Sequence, residues 1–278
     1  MDGARKEIIM NANVVFDPKA HVDAQEMGVP FFHFSIDDVL PALIEVTDKN
    51  IPLFDHPMFS LLKEIHEIYG VHVGLYLFYQ KEINRKVRNL TEVRDLKKEL
   101  EEAGGWLYFA PHALDYDTKP FEQPHEDTEN VFNTIYTEID RFAGKGSYAS
   151  WVRLHFYSES FEFADYFKRR GVSALFSTDR PAGSYRMPEE RAQALLAHGH
   201  TTYENANFIR TQFRVEFFAN DALSDEAIRA LYEGALGTYG YIIIYTHEYE
   251  FDRPEIHTYV RKAFEILNSL GVKSLKRI

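Results

Sequence analysis

Phe31-Phe32-His33-Phe34-Ser35-Ile36-Asp37-Asp38 decides the reading of this chain. An apolar, aromatic run of strand length ends in two adjacent carboxylates. Buried strands read as short apolar runs, and in β/α proteins the reactive groups sit just past a strand's C-terminal end. Two aspartates there are costly, because like charges held close in a poorly solvated place raise each other's pKa. A metal ion, a cationic partner or a split into acid and base roles offsets that cost. The plainer alternative is that Asp37 or Asp38 caps the segment Val39-Leu40-Pro41-Ala42-Leu43.

Working outward, further strand-like runs alternate with helical patterns. Val71–Tyr79, Trp106–Ala110, Trp151–Tyr157, Gly171–Ser177 and Tyr241–Thr246 read as strands. Between them, helices are expected over Pro57–Tyr69, Thr91–Leu100, Glu126–Phe142, Phe161–Arg170, 188–198, Ser224–Leu236 and Pro254–Leu270. Residues 200–218 read as extended, with alternation through Phe213-Arg214-Val215-Glu216-Phe217. Strand-helix alternation means parallel strands joined by right-handed crossovers. About six or seven such units, with no glycine-rich phosphate loop after any strand, favour a closed or nearly closed β/α barrel over an open sheet. Residues 30–278 are expected to form one domain, and residues 1–29 an extension of uncertain structure with short strand-like runs at Ile8–Met10 and Val14–Phe16. The aperiodic stretch Pro111–Asp127 is long enough to suggest a functional loop.

The 278 residues are 45% hydrophobic and 15% aromatic, enough for a barrel-sized core. A formal net charge of -12 argues against nucleic acid as a partner. With no cysteine there is no disulfide, thiolate nucleophile or cysteine-ligated zinc. No run is long and apolar enough to span a bilayer, and the first residues lack a signal-peptide pattern, so the default expectation is a cytoplasmic protein without a membrane partner, a removed leader aside. Oligomeric state is not legible.

Polar residues collect at the strand ends: Asp37-Asp38 after the first, His112 with Asp115 and Asp117 after the third, Arg153 and His155 in the fourth, and His247-Glu248 after the last. Oxygen and imidazole ligands with an open position describe a catalytic divalent metal site, and the remaining Asp and His suit a general base and acid.

Phe34-Ser35-Ile36-Asp37-Asp38 resembles the Thr-Phe-Asp-Asp signature of the polysaccharide deacetylase (NodB-like) family. The resemblance implies an irregular seven-stranded β/α barrel and hydrolysis of N-acetyl or O-acetyl groups on a carbohydrate. It implies a divalent metal, zinc with nickel or cobalt as alternatives. By position, Asp37 becomes the catalytic base and Asp38 a metal ligand. His112 stands as the first histidine of the second motif, but Tyr116 occupies the place of the second. Asp115 is then the candidate third ligand, with Asp117, His155 or water as alternatives. Arg153 would orient the base. Ile242–His247 resembles the last motif and makes His247 the general acid, with Glu248 raising its pKa. Trp106, Trp151, Tyr157, Tyr185 and Tyr249 are candidates for a sugar-stacking cleft, and Glu248 also for substrate contact.

Two other readings compete. A metal-free glycoside hydrolase would use two carboxylates such as Asp37 with Glu248 or Glu159. A non-catalytic carbohydrate-binding relative would have lost a ligand at Tyr116.

Overall fold

β1 runs from Phe31 to Val39 and is buried along its whole length. Its odd-numbered side chains meet the rings and charges of other strands: Phe31 stacks on Tyr241, His33 on Phe176, and Ser35 and Asp37 accept from Arg153. Phe32 and Phe34, on the other face, pack against Phe264 of the closing helix. Two buried faces are why this strand reads as a continuous apolar run.

The computed structural model describes residues 18 and 29–276; the expected strands at Ile8–Met10 and Val14–Phe16 lie outside them. After β1 come β2 (Val73–Phe78), the hairpin β3 (Gln80–Ile83) and β4 (Lys86–Asn89), and β5 (Leu107–Ala113). Then follow β6 (Trp151–Val152), β7 (Ala174–Ser177), the hairpin β8 (His200–Tyr203) and β9 (Ala206–Arg210), β10 (Phe213–Arg214), β11 (Tyr241–His247) and β12 (Lys273–Ser274). The helices are α1 (Pro41–Asp48), α2 (Pro57–Tyr69), α3 (Lys97–Glu102), α4 (His125–Phe142) and α5 (Ala164–Arg169). They continue with α6 (Glu189–His198), α7 (Val215–Asn220), α8 (Asp225–Tyr239) and α9 (Pro254–Ser269).

Sheet order is β10-β11-β1-β2-β5, all parallel, and a second sheet runs β6-β7-β9-β8. The sheets meet at two seams. Phe109 of β5 bridges Tyr148 just before β6, and Gln212, between β9 and β10, donates its N–H to Ile243 of β11. The architecture is therefore an irregular β/α barrel whose ladder is interrupted at both seams.

The helix ends follow their sequence signals. Pro57 opens α2 and Gly70, at φ +68°, closes it in the left-handed region where a glycine costs nothing. Ser224 caps α8 through its side chain. The helix expected over Thr91–Leu100 forms only from Lys97, because Arg141 takes the carbonyls of Leu90 and Val93. The extended reading of 200–218 also fails after Arg214, where α7 begins.

Candidate active site

Asp37 and Asp38 are consecutive, and in a regular strand they would point to opposite faces. Both line one cavity of about 410 Å³ because the β1–β2 register shifts between Ile36 and Val39 and Asp38 adopts φ +65°. A non-glycine residue in that region stores strain of order ~1–3 kcal/mol, held by the surrounding packing. Phe156 and Tyr157, at φ +55° and +48°, are strained in the same way and line the same cavity.

Arg153 is 1% exposed and donates to Asp37 Oδ1 at 3.0 Å and Ser35 Oγ at 2.7 Å. Its guanidinium lies over the Tyr245 ring, 4.1 Å from the centroid. Asp37 is thus an ion-paired carboxylate at the cavity wall. Across the ladder, Asp37 pairs in register with His247 at the end of β11. His247 donates from Nδ1 to Glu216 Oε1 at 2.8 Å, leaving Nε2 as its free ring nitrogen. Burial would lower the His247 pKa, but the Glu216 bond and charge, with Asp37 and Asp38, raise it above the ordinary histidine value.

Asp38 Oδ1 lies 3.2 Å from His112 Nε2 and 3.6 Å from His155 Nδ1, and the two imidazole nitrogens are 3.2 Å apart. All three residues are buried. His112 Nδ1 faces the Arg153 carbonyl at 2.7 Å, and His155 Nε2 faces the Tyr116 carbonyl at 2.8 Å. A nitrogen facing a carbonyl carries the proton, so in each neutral imidazole the other nitrogen turns its lone pair to the cluster. Asp38 Oδ1 is close to both rings, but the approach is not that of a hydrogen bond, and the buried oxygen has no partner. Burial would raise the Asp38 pKa, yet the His112 contact and the His112, His247 and His155 charges bring it down to about 2. Burial, then the His112 charge, push His155 down to about 4, which keeps it neutral.

Three donor atoms 3.2–3.6 Å apart match the edge of a tetrahedron with ligands about 2.0–2.1 Å from a zinc ion, roughly 3.3 Å. One carboxylate, whose buried Oδ1 is orphaned, and two imidazoles fit a divalent cation.

The other anticipated residues are placed as follows. Asp115 accepts from Gln80 and Thr118, and neither it nor the exposed Asp117 joins the cluster. Glu248 does not touch His247; its two oxygens accept from the backbone N–H groups of Leu40 and Ala42 at the start of α1. Glu159 is buried beneath the 184–186 turn, taking Ser184 Oγ at 2.5 Å and the Tyr185 and Arg186 amides. Trp151 is core, between Phe31, His33 and Phe176, and Trp106 packs on Phe54 and His66. Tyr157, Tyr185 and Tyr249 do line the cavity. Five large aromatics are exposed among the described residues, and four of them, Tyr116, Phe156, Tyr185 and Tyr249, ring its mouth.

Glu216 is the site residue that sequence reasoning missed. Alternation through 213–217 marks a strand, which gives Glu216 no reason to meet His247; the helical turn starting at Val215 brings it there.

No protein-family model and no curated protein sequence matches this chain. Solved structures do. A 4-α-glucanotransferase from Thermococcus litoralis is 12% identical at a TM-score of 0.54, over 88% of this chain and 37% of that one. A deacetylase with substrate is 13% identical at 0.49, over 88% and 87%. A polysaccharide deacetylase from Bacillus cereus is 12% identical at 0.46, over 90% and 92%. At such identity the likeness speaks for the fold alone. Among the described residues no helix is long and apolar enough to cross a membrane.

Proposed function

We propose that the chain is a metal-dependent deacetylase of the polysaccharide deacetylase kind, removing acetyl groups from a carbohydrate. The observation that carries this reading is the convergence of Asp38, His112 and His155 in one cavity with Asp37–Arg153 and His247–Glu216. Asp38, His112 and His155 would hold a divalent ion, zinc by the ligand set with nickel or cobalt as alternatives, which when bound would supply Lewis-acid polarisation and a water of lowered pKa. Asp37 takes the proton from the attacking water, and Arg153 keeps that carboxylate aimed at the cavity. His247, its Nδ1 held by Glu216, delivers a proton to the departing nitrogen or oxygen. The ring of exposed aromatics suits the apolar faces of sugar rings.

Neither competing reading gains support. Among the described residues only Asp37 and Asp38 bring carboxylates to the cavity wall, and Glu159 and Glu248 are committed elsewhere. His155 brings a second imidazole to Asp38 and His112, so the deacetylase reading does not depend on a ligand at Tyr116.

The test is metal content and acetate release together. After reconstitution with zinc, nickel or cobalt, the protein should hold close to one ion and release acetate from acetylated chitooligosaccharide or xylan. Asp37→Asn and His247→Ala should hold the ion and release none. A protein that takes up no ion under any of the three metals overturns the reading.

A further inference from the structure

Residues 178–188 join β7 to α6 and carry Tyr185, 56% exposed, to the mouth of the cavity. They form neither helix nor strand. Among the described residues, the one backbone-to-backbone hydrogen bond inside this loop runs from the Gly183 N–H to the Arg180 carbonyl, at 3.0 Å. A loop without a ladder or a helical repeat has to satisfy its amides, and take its shape, from side chains.

Glu159 supplies that hold. It is fully buried and stands two residues beyond the left-handed Tyr157. Its Oε2 accepts from Ser184 Oγ at 2.5 Å and from the N–H groups of Tyr185 and Arg186 at 3.1 and 3.0 Å. Ser184 Oγ accepts in turn from the N–H groups of Arg186 and Met187, at 3.2 and 2.9 Å. Oε1 has no partner, so among the described residues every hydrogen bond of this carboxylate goes to the loop. Burying a charge is costly unless donors surround it, and Ser184 and the loop's amides are those donors. Arg186 closes the clamp from the other side. Its Nη1 donates to the Glu159 carbonyl at 2.8 Å, and its guanidinium lies 4.6 Å from the centroid of the Phe161 ring. Thr178 Oγ1 donates to the Tyr185 hydroxyl at 3.3 Å and fixes the far end of that ring.

We infer that Glu159 is a positioning residue: it clamps the 184–186 turn so that Tyr185 stands at the cavity mouth before a sugar arrives. This rests on the deacetylase reading and adds to it a group that itself touches no substrate. The same carboxylate comes four residues after His155, so a rival role would be to hold that metal donor. The hydrogen bonds point the other way. His155 is held through its ring by the Tyr116 carbonyl and through its own carbonyl by Ser158 Oγ, whereas the Glu159 side chain reaches only the loop. Ordering a contact loop in advance lowers the cost of binding and leaves the chemical step alone.

The experiment measures kcat, KM and zinc content of the zinc-loaded protein, with acetylated chitooligosaccharide as substrate. Glu159→Ala should raise KM about tenfold, with kcat within about twofold and zinc content unchanged. Glu159→Gln keeps an acceptor for the amides and should restore KM. Tyr185→Ala should raise KM by a similar factor, and combining it with Glu159→Ala should raise KM no further, because one residue acts through the other. Additive effects, or a loss of zinc or of kcat at unchanged KM, overturn the inference. Should Glu159→Ala fail to fold, Ser184→Ala cuts the same clamp from the loop side and is held to the same outcomes. Amide hydrogen exchange separates the two claims. At Tyr185 and Arg186 it should quicken in Glu159→Ala and stay slow in Glu159→Gln, with or without turnover. If no sugar yields acetate, the hydrolase reading falls, and the clamp is then judged on exchange and on calorimetric binding of the same oligosaccharide, which Glu159→Ala should weaken about tenfold. Acetate released with an unaltered KM in Glu159→Ala leaves the hydrolase standing and removes this inference.

Discussion

Two neighbouring strands of the same ladder each end in buried carboxylates, and the two ends have opposite fates. At the end of β1, Asp37 and Asp38 meet side chains: a guanidinium, and two imidazoles with lone pairs turned inward. At the end of β11, Glu248 meets backbone, accepting from Leu40 and Ala42 and so satisfying amides at the start of α1. Position in a β/α barrel therefore does not distinguish a cavity-lining carboxylate from a structural one. Its partners do. A carboxylate spent on orphan amides of a helix start has nothing left for a substrate, whereas one held by a single guanidinium contact keeps lone pairs for chemistry.

The comparison can be broken at either end. The largest effect is expected at β1: Asp38→Ala or His155→Ala should lower metal affinity by well over ~100-fold, more than loss of an outer-shell partner, and take turnover to background. Metal content after dialysis checks this, and full zinc retention in His155→Ala would remove that residue from the ligand set. Next is Arg153→Met, which strands Asp37 as a buried uncompensated charge and should cost ~3–5 kcal/mol in urea unfolding.

Glu248→Ala should show the reverse signature: about 1–3 kcal/mol of stability lost through unsatisfied amides, with metal content intact. The same residue sharpens the contrast through pH. Burial raises the Glu248 pKa to about 7, against the pull of the Leu40 and Ala42 amides. A carboxyl whose folded pKa is raised contributes stability below its unfolded value, about 4.3, and that contribution is lost as pH rises through about 7. Glu248→Gln should flatten the stability profile in that window, by at most ~1.4 kcal/mol per pH unit for one proton. The smallest effect is expected from Glu216→Gln. Without that carboxylate, burial dominates and His247 loses its proton at lower pH, so the alkaline limb of kcat/KM should move to lower pH while metal content is unchanged.

Much of the fold was legible because β1, β2 and β11 are buried on both faces and leave unbroken apolar runs. Asp37, Asp38, His112, Arg153 and His247 were legible as polar residues at strand ends, and the structure lines one cavity with all five. What escaped the sequence has local causes. His155 was only an alternative to Asp115, since nothing in the spacing shows that the chain leaves β6 after Val152 and bends through left-handed Phe156 and Tyr157. Asp115 is instead turned to Gln80 and Thr118. Glu216 was hidden by an alternation that belongs to a helix, and Glu248 was misassigned because capping across some two hundred residues has no sequence signature. Trp151 had the right composition for a sugar platform and the wrong place, inside the barrel.

The in-register pairing of Asp37 with His247 has a consequence for how this centre can drift. Neighbouring strands lie about 4.7–4.9 Å apart, a spacing that the backbone ladder fixes whatever the loops do. Proposed base and acid are thus mounted on one rung of adjacent strands, while the donors of the proposed metal site come from a kinked strand end, a second strand and a strained turn. Substitution and loop remodelling can alter the three-donor cluster without changing the separation of Asp37 and His247. A descendant without the three-donor cluster would still inherit a carboxylate and an imidazole at a set distance, ready-made for proton transfer of another kind.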